Sequence, residues 1–169
     1  MIQFKEIKNS EVKVAKRRFI DTRKQSFFGN YIYDQVIPKD HFLRLLNEII
    51  DWDRFTDEMV ELYGGGAEFG RPPFDPSQML KICLLAYLYE LSERQVEVFV
   101  NENMPAKYFV GLGLDQRAPD HSTISVFRGR LTKNSNLSFF ETLLAKIVKM
   151  AKETGIQFGN VQIVDSVHS

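Results

Sequence analysis

Apolar residues recur at three- and four-residue intervals through the middle of the chain, the spacing that lines one face of an α-helix. After Pro38, Asp40 stands where a helix cap is needed, and Phe42, Leu45, Leu46 and Ile49 then share a face. Asp51 or Asp53 starts a second helix, with Phe55, Met59, Val60 and Tyr63 as its apolar positions. The stretch from Gly64-Gly65-Gly66 to Arg71-Pro72-Pro73 reads as a loop, because three glycines lose too much backbone entropy in a helix and paired prolines cannot continue one.

Asp75-Pro76 is a helix start, a capping carboxylate followed by proline at the first helical position. The helix it opens, Met79 to Leu91, is apolar on every side, which predicts a central helix surrounded by others. Ser92 and Gln95 form a capping box for the next, whose inner stripe is Val96, Phe99 and Val100, and Pro105 ends its tail. Lys107 to Leu114 reads as a short helix or turn closed by Gly111 and Gly113. Pro119-Asp120-His121-Ser122 opens a helix through Leu131 with Ile124, Phe127 and Leu131 inward. Ser138 and Glu141 form a second capping box, for a helix that buries Phe140, Leu143, Leu144, Ile147 and Ala151 and ends at Gly155. Val161 to Val164 is short and β-branched, hence a strand. Before Pro38 the periodicity fails, and Gly29-Asn30 is turn-like, so residues 1–36 read as a partly disordered arm.

The pattern therefore predicts an all-α helical bundle over residues 37–155, flanked by the arm and, over 156–169, by a segment with one terminal β-strand. A lone strand leaves its backbone groups unpaired, so the chain is expected to stop inside a second domain.

Composition narrows the class. No apolar run approaches the roughly 18 residues of a membrane span, and no leader-like start is present, so a cytoplasmic protein without membrane contact is expected. The single cysteine, Cys83, excludes an intramolecular disulfide framework and sits in an apolar helix as a core thiol. His41, His121 and His168 are too scattered for a zinc site. The net charge of +0 conceals an asymmetry: residues 1–36 carry eight Lys/Arg against four Asp/Glu, a balance of +4, which leaves −4 on the remainder. A basic arm on an acidic body suits a polyanionic partner, and equally a solvated tail.

Three segments could carry chemistry. His121, Ser125, Arg128 and Thr132 fall at i, i+4, i+7 and i+11, one side of a helix, where imidazole, hydroxyl and guanidinium groups can meet phosphates or base edges. This is helix-turn-helix logic, with Ser92 to Asn103 or the short Lys107 element in support. The same spacing also fits an ordinary amphipathic helix whose arginine pairs with a nearby carboxylate. With Arg130 beside them, His121, Ser125 and Arg128 are the candidate duplex DNA contacts of the body. Lys16, Arg17, Arg18, Arg23 and Lys24 are those of the arm, suited to salt-sensitive, sequence-independent binding along phosphates. Gly64-Gly65-Gly66 and Gly111-Leu112-Gly113 lack the companions of a nucleotide loop and read as turns. Asp165 follows the terminal strand, a position that suits a metal ligand and equally an ordinary surface aspartate.

Taken in order, Gly70-Arg71-Pro72-Pro73-Phe74-Asp75-Pro76, Leu91-Ser92-Glu93-Arg94-Gln95, Tyr108-Phe109-Val110-Gly111-Leu112 and Pro119-Asp120-His121-Ser122-Thr123-Ile124-Ser125-Val126-Phe127-Arg128-Gly129-Arg130-Leu131 resemble one family. It is the insertion-sequence transposases that join an InsH-type helical N-terminal domain to a ribonuclease H-like DDE domain. Val161-Gln162-Ile163-Val164-Asp165-Ser166 falls where that α/β domain begins, and the resemblance runs from about Ile37 onward. It implies a body that binds terminal inverted repeats as double-stranded DNA and helps assemble a homo-oligomer. It also implies Asp165 as the first catalytic acid, a ligand of Mg²⁺ or Mn²⁺. No acidic residue follows Asp165, so the chain is expected to be a truncated, catalytically incomplete transposase. The competing expectation is a helical protein-interaction or dimerisation module without direct DNA contact.

Overall fold

The computed structural model describes residues 27–60, 74–134 and 137–156. Eight helices are found among them: α1 (Phe27–Val36), α2 (Phe42–Ile49), α3 (Trp52–Val60), α4 (Pro76–Leu88), α5 (Glu93–Glu102), α6 (Met104–Val110), α7 (His121–Asn134) and α8 (Leu137–Glu153). The described residues form no strand. The strand expected at Val161 to Val164 and the Gly64 to Pro73 loop lie outside them, as do the side chains of Phe140 and Leu143; Ser138, expected to cap the last helix, instead falls within its first turn, because α8 starts at Leu137.

α4 is the central helix that its uniform apolarity predicts. Its start is fixed by Asp75, whose carboxylate accepts from the Ser77 amide at 2.8 Å and from the Ser77 hydroxyl at 2.7 Å, with Pro76 in the first turn. From Met79 to Leu88 every residue but Lys81, Ala86 and Tyr87 is buried, and α3, α5, α6 and α7 pack around them. A fully buried leucine such as Leu84 or Leu85 contributes about 1.5–3 kcal/mol of transfer free energy. At the C-terminal end Glu90 takes a positive φ of 54°, so the Leu91 amide turns back to the Ala86 carbonyl at 2.9 Å and the chain reverses into α5.

Ser92 and Gln95 form the capping box that their spacing predicts, and α5 buries Val96 and Val100. Asn103 closes α5 and also caps α6, accepting from the Ala106 amide at 2.9 Å. Pro105 therefore lies in the first turn of α6 instead of marking the tail of α5, a position where a missing N–H costs nothing. α6 ends at Gly111, whose φ of 84° is the left-handed cap that favours glycine. α7 buries Ile124, Phe127 and Leu131, and α8 buries Leu144, Ile147, Val148 and Ala151 before Gly155 turns the chain at φ 84°.

Two expectations near the N-terminus are corrected. Residues 27–36 are helical, with Gly29-Asn30 inside α1 instead of a turn. Tertiary contacts override the local turn signal. Tyr33 is buried, donates its hydroxyl to the Leu112 carbonyl at 2.8 Å and meets the Tyr108 ring edge-on at 5.4 Å. Arg44 of α2 fastens the same helix, donating to the Tyr33 carbonyl at 2.9 Å and to Asp34 at 3.1 Å, with its guanidinium 4.8 Å from the Tyr108 ring centre. The second correction is the cap of α2. His41, not Asp40, supplies it, its Nδ1 accepting from the Leu43 amide at 3.2 Å.

Candidate nucleic-acid interface

α7 carries the candidate residues, and its seat on the core is set by apolar side chains of both α5 and α7. Its start is fixed by Asp120, which accepts from the Thr123 amide at 2.8 Å and from the Ser122 hydroxyl. Those two hydrogen bonds, the serine's first, pull the Asp120 carboxyl down from 3.8 to about 2. The preceding loop is tied by side-chain amides: Asn101 accepts from the Ala118 amide at 2.9 Å and Gln116 from the Gly113 amide at 2.8 Å. Of the two supporting elements open at the level of sequence, α5 is the one that packs closely on α7.

The four polar positions at i, i+4, i+7 and i+11 divide into two pairs. His121 and Arg128 lean onto α5, where Glu97 and Glu93 wait one turn apart. The Glu97 carboxylate accepts from the His121 backbone amide at 2.8 Å and faces its Nδ1 at 3.0 Å. Those bonds hold the Glu97 carboxyl below its ordinary range, the side-chain bond contributing most. Arg128 donates through Nη1 to Glu93. Because Glu93 meets Arg128 and Glu97 meets His121, the two helices run antiparallel across the ion pairs. Ser125 and Thr132 face solvent, the latter returning its hydroxyl to the Gly129 carbonyl at 3.0 Å, and Arg130 and Val126 are exposed beside them. Lys16, Arg17, Arg18, Arg23 and Lys24 lie outside the described residues.

Behind the Arg128–Glu93 pair is a cavity of about 120 Å³ where α4, α5, α7 and α8 meet, lined among others by Cys83, Tyr87, Ile124 and Glu141. Burial pushes the Cys83 thiol up to about 12, so this cysteine is a core group without nucleophilic character.

Sequence reasoning did not single out Glu93 and Glu97. Their four-residue separation was visible, but their partners lie 35 and 24 residues downstream, and only the docking of α5 on α7 joins them. Asp165 lies outside the described residues, among which no group of three His, Cys, Asp or Glu side chains could hold a metal ion. No helix of the described residues is long and apolar enough to cross a membrane.

What this arrangement can do chemically is present one polar helix, supported on an apolar seat, with a guanidinium and an imidazole along one edge and hydroxyls toward solvent. No solved structure matches the chain. Residues 31–130, more than half of the 169, match the family described as Transposase domain (DUF772), a segment that begins within α1 and ends in α7. The chain belongs to this transposase domain family.

Proposed function

We propose that this chain is the DNA-binding and assembly portion of an insertion-sequence transposase, engaging the terminal inverted repeats of its element as double-stranded DNA. The observation that carries the reading is the placement of α7 within a transposase domain: apolar residues anchor one side, while Ser125 and Arg130 stand at the surface and His121 and Arg128 along one edge. Side chains of these types position a helix on phosphates and reach base edges. The basic arm residues Lys16, Arg17, Arg18, Arg23 and Lys24 add affinity that falls with salt.

In the same reading the family's chemistry is metal-dependent strand cleavage and transfer, and Asp165 supplies one carboxylate to Mg²⁺ or Mn²⁺. One carboxylate is too few for two-metal phosphoryl transfer, which needs several oxygen ligands. DNA nicking in Mg²⁺ or Mn²⁺ that Asp165→Asn abolishes would assign that role to it.

A gel-shift titration across salt concentrations tests the binding function. Binding to a terminal-repeat duplex, weakening steeply with salt and lowered by Arg128→Ala at unchanged oligomeric mass, is the expected result. No shift of any duplex at low salt with the arm intact would end the proposal. A second reading, a homo-oligomerisation module, draws on the aromatic surface of α1, where Phe27 and Phe28 are 89% and 69% exposed and Tyr31 is exposed one turn on. It expects Phe28→Ser to lower the oligomeric mass and Arg128→Ala to leave DNA affinity unchanged.

A further inference from the structure

Two of the polar side chains that α7 would offer to DNA are already engaged. Glu93 holds Arg128 and Glu97 holds His121, so the edge of α7 proposed to face DNA is neutralised from within the molecule. We propose that Glu93 and Glu97 act as internal competitors of the DNA backbone, an autoinhibitory clasp whose carboxylates oppose the phosphates that approach Arg128 and His121. This rests on the reading of α7 as a DNA-contacting helix.

Three observations favour a competitor over a structural brace at Glu93, while Glu97, which also accepts from the His121 amide, serves both roles. The pairs are open to solvent: the side chains of Arg128 and Glu93 are 40% and 33% exposed, those of His121 and Glu97 37% and 29%. Ion pairs this exposed contribute little to a fold. Second, α5 and α7 are joined by apolar packing, with Val96 and Val100 of α5 and Ile124, Phe127 and Leu131 of α7 in one buried cluster, so the helices stay docked when the pairs open. Third, Arg128 uses only Nη1 on Glu93, and its other guanidinium donors have no partner among the described residues. A phosphate can therefore approach the same guanidinium, where it meets the carboxylate as a like charge. Glu141, lining the same cavity, adds a further negative charge nearby.

The clasp predicts that removing a carboxylate strengthens binding, the reverse of what a positioning role would give. A fluorescein-labelled duplex of mixed sequence serves as the probe, titrated by anisotropy over a series of salt concentrations. Glu93→Gln, which keeps the side-chain shape and a hydrogen bond, is expected to bind several-fold more tightly. Its slope of log affinity against log salt steepens by about 0.9 if one phosphate contact is gained. In the Arg128→Ala background the same substitution is expected to lose its effect, since the carboxylate then has no cation to release. Glu97→Gln tests the His121 half independently, and circular dichroism checks that each variant is folded. An unchanged or weakened Glu93→Gln, alongside a weakened Arg128→Ala, overturns the clasp and leaves the DNA-contacting role of α7 standing. A gain that persists without Arg128 also overturns it, as a general effect of charge. If Arg128→Ala, Arg130→Ala and Ser125→Ala all bind as the parent does, the reading of α7 fails and takes the clasp with it.

Discussion

Single side chains hold this bundle in two ways: caps act on amides within three positions, and Arg44 acts on groups that only the fold brings near. Asp75, Ser92 with Gln95 and Asp120 each act within three residues of themselves; the first two cap as their spacing predicts, and Asp120 caps a helix whose start the sequence placed there. Cys83 was readable as a core thiol from the apolar run around it. Arg44 gave no such signal. Its value lies in the Tyr33 carbonyl, Asp34 and the Tyr108 ring, which only the folded chain gathers around it. Asp34 remains largely exposed and the Tyr33 carbonyl keeps the Ile37 amide at 3.0 Å, so the main cost of losing the guanidinium is its own charge-assisted hydrogen bond to that carbonyl. Arg44→Met is expected to lower unfolding free energy by about 1–3 kcal/mol, read from the urea midpoint.

At the scale of elements, helices announced by strong periodicity and a local cap were placed correctly, and the errors cluster where tertiary contacts outweigh local preference. α1 is the main case: Gly29-Asn30 carries a turn signal, yet the anchoring of Tyr33 and Arg44 holds those residues helical. The start of α7 carries a pH dependence whose sign is fixed by its caps. The Asp120 carboxyl falls from 3.8 to about 2 in the folded protein, and Glu97 moves in the same direction. Each carboxylate therefore stabilises the fold fully above its unfolded value, and that contribution disappears as pH drops through the folded one. For Asp120 the window runs from 3.8 down to about 2. Asp120→Ala is expected to be less stable than the parent at neutral pH, and to lose less stability across that window, in urea titrations at a series of pH values.

Across the whole molecule, α4 is the member that every other part depends on, and its role was readable because a helix apolar on all sides has to be enclosed. What surrounds it was readable only in part: α5 was one of two candidate supports for α7, and its antiparallel docking and the pairs this creates join residues that periodicity treats separately. Leu84 lies at the centre of this packing with no exposed surface. Leu84→Ala is expected to cost about 2–5 kcal/mol, with a calorimetric midpoint lowered by several degrees. That the arginine of α7 pairs with a carboxylate was one of the two readings its spacing allowed, but which carboxylate it meets was not readable, because Glu93 belongs to another helix.

The hydroxyl of Tyr33 reaches a carbonyl 79 residues away, and with Arg44 and Tyr108 it makes up much of the attachment of α1 to the bundle. A terminal helix attached in large part through these contacts can detach as a separate cooperative unit while α4 and its neighbours stay folded. Native-state hydrogen exchange should then show α1 amides opening at a lower free energy than those of α4. Tyr33→Phe should widen the gap by about 0.5–1.5 kcal/mol through α1 alone. Opening of this kind would leave α2 to α8 as a bundle that keeps its core while the helix before it comes and goes, with one tyrosine hydroxyl setting how often.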